Sequence, residues 1–231
     1  MDLIDALRST GSVREFTDEP VDDAVLARIL DTARFAPSGA NAQAWRLVVV
    51  KDPAIRARLR ELYRRPWVEY LTLTAAGLRP WSPVNDRGAE TAALAAGTAA
   101  ADEAASSGFA AHLDEVPVLL ALFADLSQLA AVDRDLDRYS LAGGASVYPF
   151  AWSILLAARA EGLGGVLTTM LIRQENEVKR LLGAEERHVL AAVIALGHPV
   201  RQVRRLTRQP VASFTTVDRL DGAPFPTPPG D

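Results

Sequence analysis

The chain has 231 residues, of which 49% are hydrophobic and 23% are charged, and its formal net charge is −4. This profile is typical of one globular domain with a sizeable core, and the negative charge argues against nucleic acid or an anionic membrane as a partner. Because the chain has no cysteine and its three histidines are far apart, we exclude disulfides and thiolate chemistry and expect no metal site.

The first half of the chain predicts three helices and one strand. The start lacks the basic and apolar regions of a signal peptide, and no apolar run is long enough to span a bilayer, so we expect a cytoplasmic protein. Acidic residues favour a helix start after residues 17–22, and Pro37 and Gly39 end that helix. The predicted ranges are helix 3–7, this second helix with an apolar stripe at 25–33, strand 47–50 and helix 54–63.

Residues 64–90 combine aromatic side chains with prolines, as at Trp67, Tyr70 and Trp81. Exposed aromatic residues among prolines are typical of an ordered loop, and they also suit a lid over a bound substrate. Both interpretations stay open, and in either case we expect an irregular segment or insertion here.

The second half of the chain predicts three helices and two strands. The ranges are helix 90–112, strand 117–124, helix 147–160, helix 175–182 and strand 188–196. Glycines at 161–165 end the strongly apolar helix 147–160 with a left-handed cap. The tail contains a strand-like run, 213–217, which has no sequence neighbour to pair with. We therefore predict one domain, 1–200, and an extended tail, 201–231.

Two short segments near the N-terminus contain the residues suited to cofactor chemistry. The first reads Gly-Ser-Val-Arg-Glu-Phe at 11–16, and the second reads Ala-Pro-Ser-Gly-Ala-Asn-Ala-Gln-Ala-Trp-Arg at 36–46. Each places hydroxyl, amide or guanidinium groups among small residues, which suits the binding of a flat, anionic cofactor. The pair, separated by one helix, resembles the two flavin-binding signatures of the nitroreductase superfamily.

The resemblance implies an α+β fold in which helices flank a mixed sheet. It also implies an intertwined homodimer that exchanges its C-terminal tails and binds FMN at the interface. The implied activity is that of an oxidoreductase with NADPH or NADH as the donor and a nitroaromatic or quinone-like acceptor. Because the flavin carries the redox chemistry, no catalytic side chain is required, and we expect donor and acceptor to use one open flavin face in ping-pong order.

The first segment is implied to bind the FMN phosphate and the pyrimidine edge of the flavin, through Ser12 and Arg14. A guanidinium binds phosphate in a fork, or stabilises the flavin carbonyl that gains negative charge on reduction. The family often has basic residues directly before the serine, where this chain has Thr10 and Gly11. Arg8, one helical turn earlier, is one candidate replacement, and the tail arginines Arg201, Arg204 and Arg205 are the others.

The second segment is implied to cover one face of the flavin ring with a turn of small residues. The residues implied to contact FMN are Pro37, Ser38, Gly39 and Asn41. A helix end followed by a turn would explain Pro-Ser-Gly alone, but it would not explain the amide and aromatic residues that follow. Ala44 stands where the family usually has proline, which loses rigidity but no chemical group.

Three residues further along the chain complete the implied FMN site. Thr168 and Thr169 correspond to the segment at the flavin N5 edge, and Thr169 is the candidate donor to N5, which would favour one-electron steps. β-Branched threonines are also simply good strand residues. Arg208, in Arg-Gln-Pro-Val, resembles the C-terminal phosphate-binding arginine of the family, although an Arg-rich tail is also typical of a solvated segment.

Other activities stay open beside the nitroreductase assignment. The paired threonines and residues 37–40 resemble the iodotyrosine-deiodinase branch, which is a reductive dehalogenase with lid residues of the Glu-Tyr-Lys type. Here Glu69 and Tyr70 are adjacent and no lysine lies between 52 and 178, which argues against that branch. An oxygen-dependent, flavin-consuming enzyme is a second alternative, and a non-catalytic flavin-binding or storage protein is the alternative from another class.

Overall fold

The computed structural model describes residues 2–97 and 99–226, so the end of the predicted tail, 227–231, lies outside the described residues. The strands are β1 (Trp45–Val49), β2 (Val118–Asp125), β3 (Gly164–Thr168) and β4 (His188–Gly197). The helices are α1 (Leu3–Ser9), α2 (Asp23–Ala33), α3 (Pro53–Ala75), α4 (Arg87–Ala96), α5 (Ala99–Ala104), α6 (Gly108–Ala111), α7 (Tyr148–Ala160) and α8 (Glu175–Leu182). The strands form one four-stranded sheet in the order β1-β2-β4-β3. The predicted α+β fold with a sheet between helices is confirmed.

The centre of the sheet is formed by β2 and β4, which are apolar runs buried along almost their whole length. One face of the sheet packs on α2 and α7, around Leu26, Phe150 and Ile154. The other face packs on α3, α6 and α8, around Leu59 and Val178. Burial on both faces explains why these strands are continuously apolar rather than alternating. Among the described residues, no helix is both long and apolar enough to cross a membrane.

The parallel part of the predicted mixed sheet is a single bridge at the β3 edge. The four strands pair antiparallel, whereas Ser12 makes a parallel bridge to Gly165, to whose carbonyl the Val13 N–H donates at 2.9 Å. The sequence does not predict β3, because glycine is a poor strand former. Close packing requires the glycines, since a Cβ on Gly164 would lie 2.8 Å from Val13, and one on Gly165 would lie 2.9 Å from the carbonyl oxygen of Ala195.

Helix α3 is longer than the sequence predicts, because it continues past residue 63 to Ala75. The expectation of irregular structure from residue 64 is therefore wrong. Pro66 lies inside the helix, where proline removes one backbone hydrogen bond, but Leu59, Tyr63, Pro66 and Leu73 are all buried. These residues share one helix face, and their packing outweighs the loss of the bond. The irregular part is confined to residues 76–86, and the lid stays a prediction.

The predicted single helix 90–112 is instead divided into α4, α5 and α6. Gly97 ends α4 with a φ of 57°, and Gly108 begins α6 with a φ of 65°. Both values lie in the left-handed region, which glycine adopts readily and which a continuing right-handed helix does not contain. Thr98, between α4 and α5, lies outside the described residues.

The tail departs from the strand predicted at 213–217. Val211–Ser213 form one turn of 3₁₀ helix, and Thr216 makes an antiparallel bridge to Pro224 in the same chain. The expectation that this run lacks a partner nearby in sequence is therefore wrong, because the chain turns back on itself beyond Val217. Exchange of the tail with a second subunit stays a prediction.

Candidate functional site

The first motif lies where α1 ends and the chain reaches the β3 edge of the sheet. Asp2 caps α1, since its carboxylate accepts a hydrogen bond from a first-turn N–H at 2.8 Å. After the helix ends at Ser9, the backbone around Ser12 pairs with Gly165. This pairing leaves the side chains of Ser12 and Arg14 exposed at the sheet edge. The two residues are therefore accessible to a ligand.

Arg14 also lines a cavity of about 530 Å³ between the first motif, α3 and α6. Aromatic rings form much of its wall, because Tyr63 and Phe109 meet edge to face with ring centroids 6.1 Å apart, and Tyr63 and Trp67 lie 6.3 Å apart. Flat apolar walls beside a guanidinium suit a planar aromatic ligand. The cavity is also lined by the titratable groups Glu15, Asp18, His112 and Glu115.

The two predicted threonines lie in different environments. Thr168 is buried at the end of β3, and its Oγ1 lies 3.0 Å from the phenol oxygen of Tyr63. Thr169 is exposed, and its hydroxyl makes no hydrogen bond within the part of the chain that the structure describes. Thr168 is the last residue of β3, whereas Thr169 leaves the extended conformation, with φ −111° and ψ 4° at the start of a 3₁₀ turn. Thr169 therefore presents a free hydroxyl, whereas the hydroxyl of Thr168 is already paired.

Tyr63 is a residue of this site that the sequence analysis missed. Burial raises its pKa above the ordinary value of 10.0, and the hydrogen bond with Thr168 and the charge of Arg14 only partly oppose that shift. The phenol therefore stays protonated at neutral pH. The sequence did contain a pattern that could have identified Tyr63. Tyr63, Trp67 and Tyr70 recur at i, i+4 and i+7, which predicts that they share one helix face.

The second motif forms a tight turn between α2 and β1, and two backbone N–H groups of the turn donate to serine hydroxyls. Ser38 Oγ accepts from the Gln43 N–H at 3.0 Å, and the Gly39 N–H donates to Ser146 Oγ at 3.0 Å. Ser146 lies two residues before the start of α7, so the turn is fixed to the N-terminal end of that helix. It is a second residue that the sequence analysis missed.

The backbone of this turn is strained. Ala40, Asn41 and Gln43 have φ values of 51°, 53° and 50°, and positive φ is uncommon for residues other than glycine. Such strain concentrates at ligand-binding sites, where the surrounding structure maintains it. Pro37, Gly39 and Asn41 are exposed and Ser38 is half-buried, so the predicted contact residues of this motif are available to a ligand.

The two motifs lie at opposite ends of α7. At its N-terminal end, Trp45 of β1 stacks on Phe150 with ring centroids 4.6 Å apart, and the second motif contacts Ser146. At its C-terminal end, Arg159 donates to Ser9 Oγ at 3.5 Å, next to the first motif. A helix of 13 residues is about 20 Å long. One chain therefore does not bring the two motifs to the same position.

The structure does bring Arg8 and Arg208 together. Both line a concave surface of about 950 Å³ where the tail packs against α1, and the Leu206 N–H donates to the Arg8 carbonyl at 3.3 Å. Both side chains are exposed, and neither forms an ion pair with a residue that the structure describes. Thr10, two residues after Arg8, is buried. Its hydroxyl has no hydrogen-bond partner among the residues that the structure describes.

Comparison with known proteins identifies similar chains. The nitroreductase family matches residues 7–198. The chain is 28% identical over 218 residues to an NADH dehydrogenase of Thermus thermophilus, covering 83% of each chain. It is 28% identical over 200 residues to a 5,6-dimethylbenzimidazole synthase of Rhodobacter capsulatus, covering 85% of this chain and 83% of that protein. Its fold is similar to that of oxidised iodotyrosine deiodinase bound to FMN and 3-iodo-L-tyrosine, with a TM-score of 0.63 and 24% identity over 91% of this chain and 96% of the other.

Proposed function

This chain belongs to the nitroreductase family, as its two motifs predict, and we propose that it is an FMN-dependent oxidoreductase that uses NADH or NADPH to reduce nitroaromatic or quinone-like acceptors. The observation that carries the proposal is the position of Arg14. It stands beside Ser12 at the sheet edge and also lines the aromatic cavity with Tyr63. A cofactor bound along that edge would adjoin a cavity that suits a planar acceptor.

The residues present fit FMN. Arg8 and Arg208 offer guanidinium groups that no described carboxylate neutralises, as the binding of a phosphate dianion requires. Ser12 and Arg14 provide a hydroxyl and a cation for the pyrimidine edge, and Thr169 provides a free hydroxyl. When bound, the flavin would supply the hydride-transfer chemistry, which leaves binding and orientation to the protein.

The proposed site is complete only between two subunits. In one chain the motifs lie at opposite ends of α7, whereas a second copy related by a two-fold axis can place its second motif against the first motif of its partner. Exposed apolar residues support such an interface, because contiguous apolar surface marks interaction sites. Those on α1 and α7 are Leu3, Ile4, Leu7, Tyr148 and Trp152.

The proposed function predicts ping-pong kinetics. If the turn at residues 37–41 covers one flavin face, donor and acceptor share the other face and must bind in turn. Steady-state rates measured over a matrix of NAD(P)H and 1,4-benzoquinone concentrations should give parallel double-reciprocal lines. Intersecting lines would show a ternary complex and would contradict this order of binding.

Reductive dehalogenation is the second candidate function, because the fold is similar to that of an iodotyrosine deiodinase. The side chains of α3 argue against it. Glu69 is 3.1 Å from Arg65 and 4.0 Å from Arg173, and Tyr70 stacks on Trp67 at 5.2 Å, so neither is free to hold an amino-acid zwitterion. Release of iodide from 3-iodo-L-tyrosine by the reduced protein would favour this candidate over the quinone reductase.

A further inference from the structure

The aromatic cavity beside the first motif is lined by more acidic groups than basic ones. Three carboxylates line it, those of Glu15, Asp18 and Glu115, whereas the guanidinium described in its lining is that of Arg14. All four residues are exposed. In the proposed function Arg14 is engaged by the flavin, so it is not available to a second ligand. The charge that such a ligand meets in this cavity is therefore negative.

Two of these carboxylates lack a basic partner. Glu115 lies 2.9 Å from the ring of His112, which also lines the cavity. In contrast, Glu15 and Asp18 form no ion pair and no side-chain hydrogen bond within residues 2–97 and 99–226. A cation in the cavity would therefore meet two carboxylates that no group in these ranges neutralises.

The arginines of α3 do not neutralise the cavity, although this helix forms one of its walls. Arg60 lies 3.3 Å from Asp114, and Arg64 lies 3.0 Å from Asp102. Neither of these aspartates is among the residues that line the cavity. The positive charges of α3 are therefore paired with carboxylates outside the cavity, and its own carboxylates stay available to a ligand.

The backbone that carries Glu15 and Asp18 is held in place by the segment after β4. The Thr17 N–H donates to the His198 carbonyl at 2.9 Å, and the Val200 N–H donates to the Glu15 carbonyl at 3.1 Å. Binding costs less free energy when the groups that contact a ligand are already ordered. The two carboxylates therefore stand on a backbone suited to recognition.

The aromatic side chains of the cavity favour the same kind of ligand. Tyr63, Trp67 and Phe109 line it. The face of an aromatic ring attracts a cation, most strongly in tryptophan, and the attraction grows when the cation is shielded from water. Quaternary ammonium groups are bound by aromatic side chains in this way. Free carboxylates beside aromatic rings therefore suit a ligand that is both aromatic and positively charged.

We propose that this cavity selects positively charged aromatic acceptors, such as aryl ammonium compounds, through Glu15, Asp18 and the ring of Trp67. This inference rests on the proposed function, for which it names the class of acceptor. A neutral aromatic acceptor gains the apolar wall but no charge attraction. An anionic one is repelled by the two unpaired carboxylates, and this repulsion contributes to the selection.

The test compares two probes on the FMN-bound protein, (3-hydroxyphenyl)trimethylammonium and 3-tert-butylphenol, which have the same shape and differ in charge. Calorimetry at low ionic strength should show that the wild type binds the cation about three- to tenfold more tightly. This preference should shrink at high salt, because exposed charges are screened. The double variant Glu15→Gln/Asp18→Asn should lose most of the preference and keep its flavin. Glu19→Gln is the matched control and should keep the preference, because Glu19 does not line the cavity and lies 3.6 Å from His198.

Turnover of 4-nitrophenyltrimethylammonium and 4-tert-butylnitrobenzene provides an independent readout. Reduction of the nitro group to nitroso takes one hydride, supplied by NAD(P)H through the flavin, and one proton from solvent, and it releases water. The ratio of kcat/KM for the cation to that for the neutral compound should fall by about three- to tenfold in the double variant and stay unchanged in the control. The intrinsic reactivities of the two compounds cancel in this comparison between proteins.

The outcomes separate this proposal from the proposed function. Equal or weaker binding of the cation to the wild type, or a double variant that keeps the preference, would overturn the proposal. Displacement of FMN by the cation, or loss of FMN from the double variant, would also overturn it, because the cavity would then belong to the cofactor site. Selective binding of the cation to a protein that neither nucleotide reduces would support this site and contradict the proposed function.

Discussion

The phenol of Tyr63 and the hydroxyl of Thr168 lie 3.0 Å apart in a buried position between α3 and the end of β3. Because burial raises the pKa of Tyr63, the phenol keeps its proton and can donate it to Thr168. The contact joins the wall of the aromatic cavity to the strand that ends at the proposed flavin site. It also engages the Thr168 hydroxyl inside the protein, which makes Thr169 the free hydroxyl of the pair.

The first prediction separates the two threonines. Thr169→Val should change the separation between the two one-electron reduction potentials of the bound flavin, because the free hydroxyl is the one available to N5. Thr168→Val should leave those potentials unchanged but lower the free energy of unfolding by about 1–3 kcal/mol, since it leaves the buried Tyr63 phenol unpaired. Spectroelectrochemistry and urea denaturation measure the two effects. The reverse assignment of the effects would contradict the geometry.

The second prediction concerns the FMN phosphate. Arg208→Ala should weaken FMN binding by about ten- to a hundredfold, because a charge-assisted contact contributes about 1.5–3 kcal/mol. Arg219→Ala removes an arginine from the same tail that already pairs with Asp221, so it should leave FMN binding unchanged. Dialysis followed by the flavin-to-protein absorbance ratio checks both. If the Arg208 variant retained flavin as well as the wild type, the phosphate assignment would be wrong.

The third prediction concerns the tail. Truncation after Val211 should disrupt the homodimer or release the flavin, because we propose that the tail contributes to the partner subunit. Truncation after Pro226 keeps the Thr216–Pro224 bridge and should leave both properties intact. Sedimentation velocity and the flavin absorbance distinguish the outcomes. A stable, yellow dimer of the shorter variant would exclude tail exchange.

The fourth prediction concerns acid stability. Hydrogen bonds from the Leu141 N–H at 2.7 Å and Ser140 Oγ at 2.7 Å, with further support from Arg138, hold the pKa of the buried Asp133 well below its ordinary value of 3.8. A depressed folded-state pKa means that the stabilisation is present above pH 3.8 and is lost as the pH falls towards the folded-state value.

Asp133→Asn should therefore lower the melting temperature at neutral pH, and the difference from the wild type should shrink below about pH 4. Asp135→Asn is the matched control, because Asp135 is exposed and pairs only loosely with Arg134 at 3.4 Å. Calorimetry across this pH range measures both variants. A difference for Asp133→Asn that stayed constant with pH would contradict the role given to the ionised carboxylate.

Sequence patterns predicted most of the buried framework. The strands β2 and β4 and the helix α7 are long apolar runs. Such runs must be buried, so the sequence alone places them in the core. The errors came where tertiary contacts override local preference. The aromatic residues and prolines of 64–90 suggested that the helix ends at residue 63, yet burial of one helix face continues α3 to Ala75. The glycines of β3 hid a strand that close packing requires.

Only part of the candidate site could be predicted from the sequence, because the rest depends on tertiary contacts. Motifs name residues that are adjacent in sequence, so they identified Ser12, Arg14 and the turn at residues 37–41. Tyr63 and Thr168 are 105 positions apart, and nothing in a single sequence joins them. The position of Arg8 and Arg208 on one surface likewise depends on how the tail folds back onto α1.

The most direct test of the proposed function is an anaerobic titration of the purified protein with NADPH and then with NADH. The account predicts that the protein purifies with FMN, that a stoichiometric amount of nucleotide bleaches the visible flavin band, and that 1,4-benzoquinone then restores it. A yellow protein that neither nucleotide bleaches would contradict the account and identify a flavin-binding or storage protein instead.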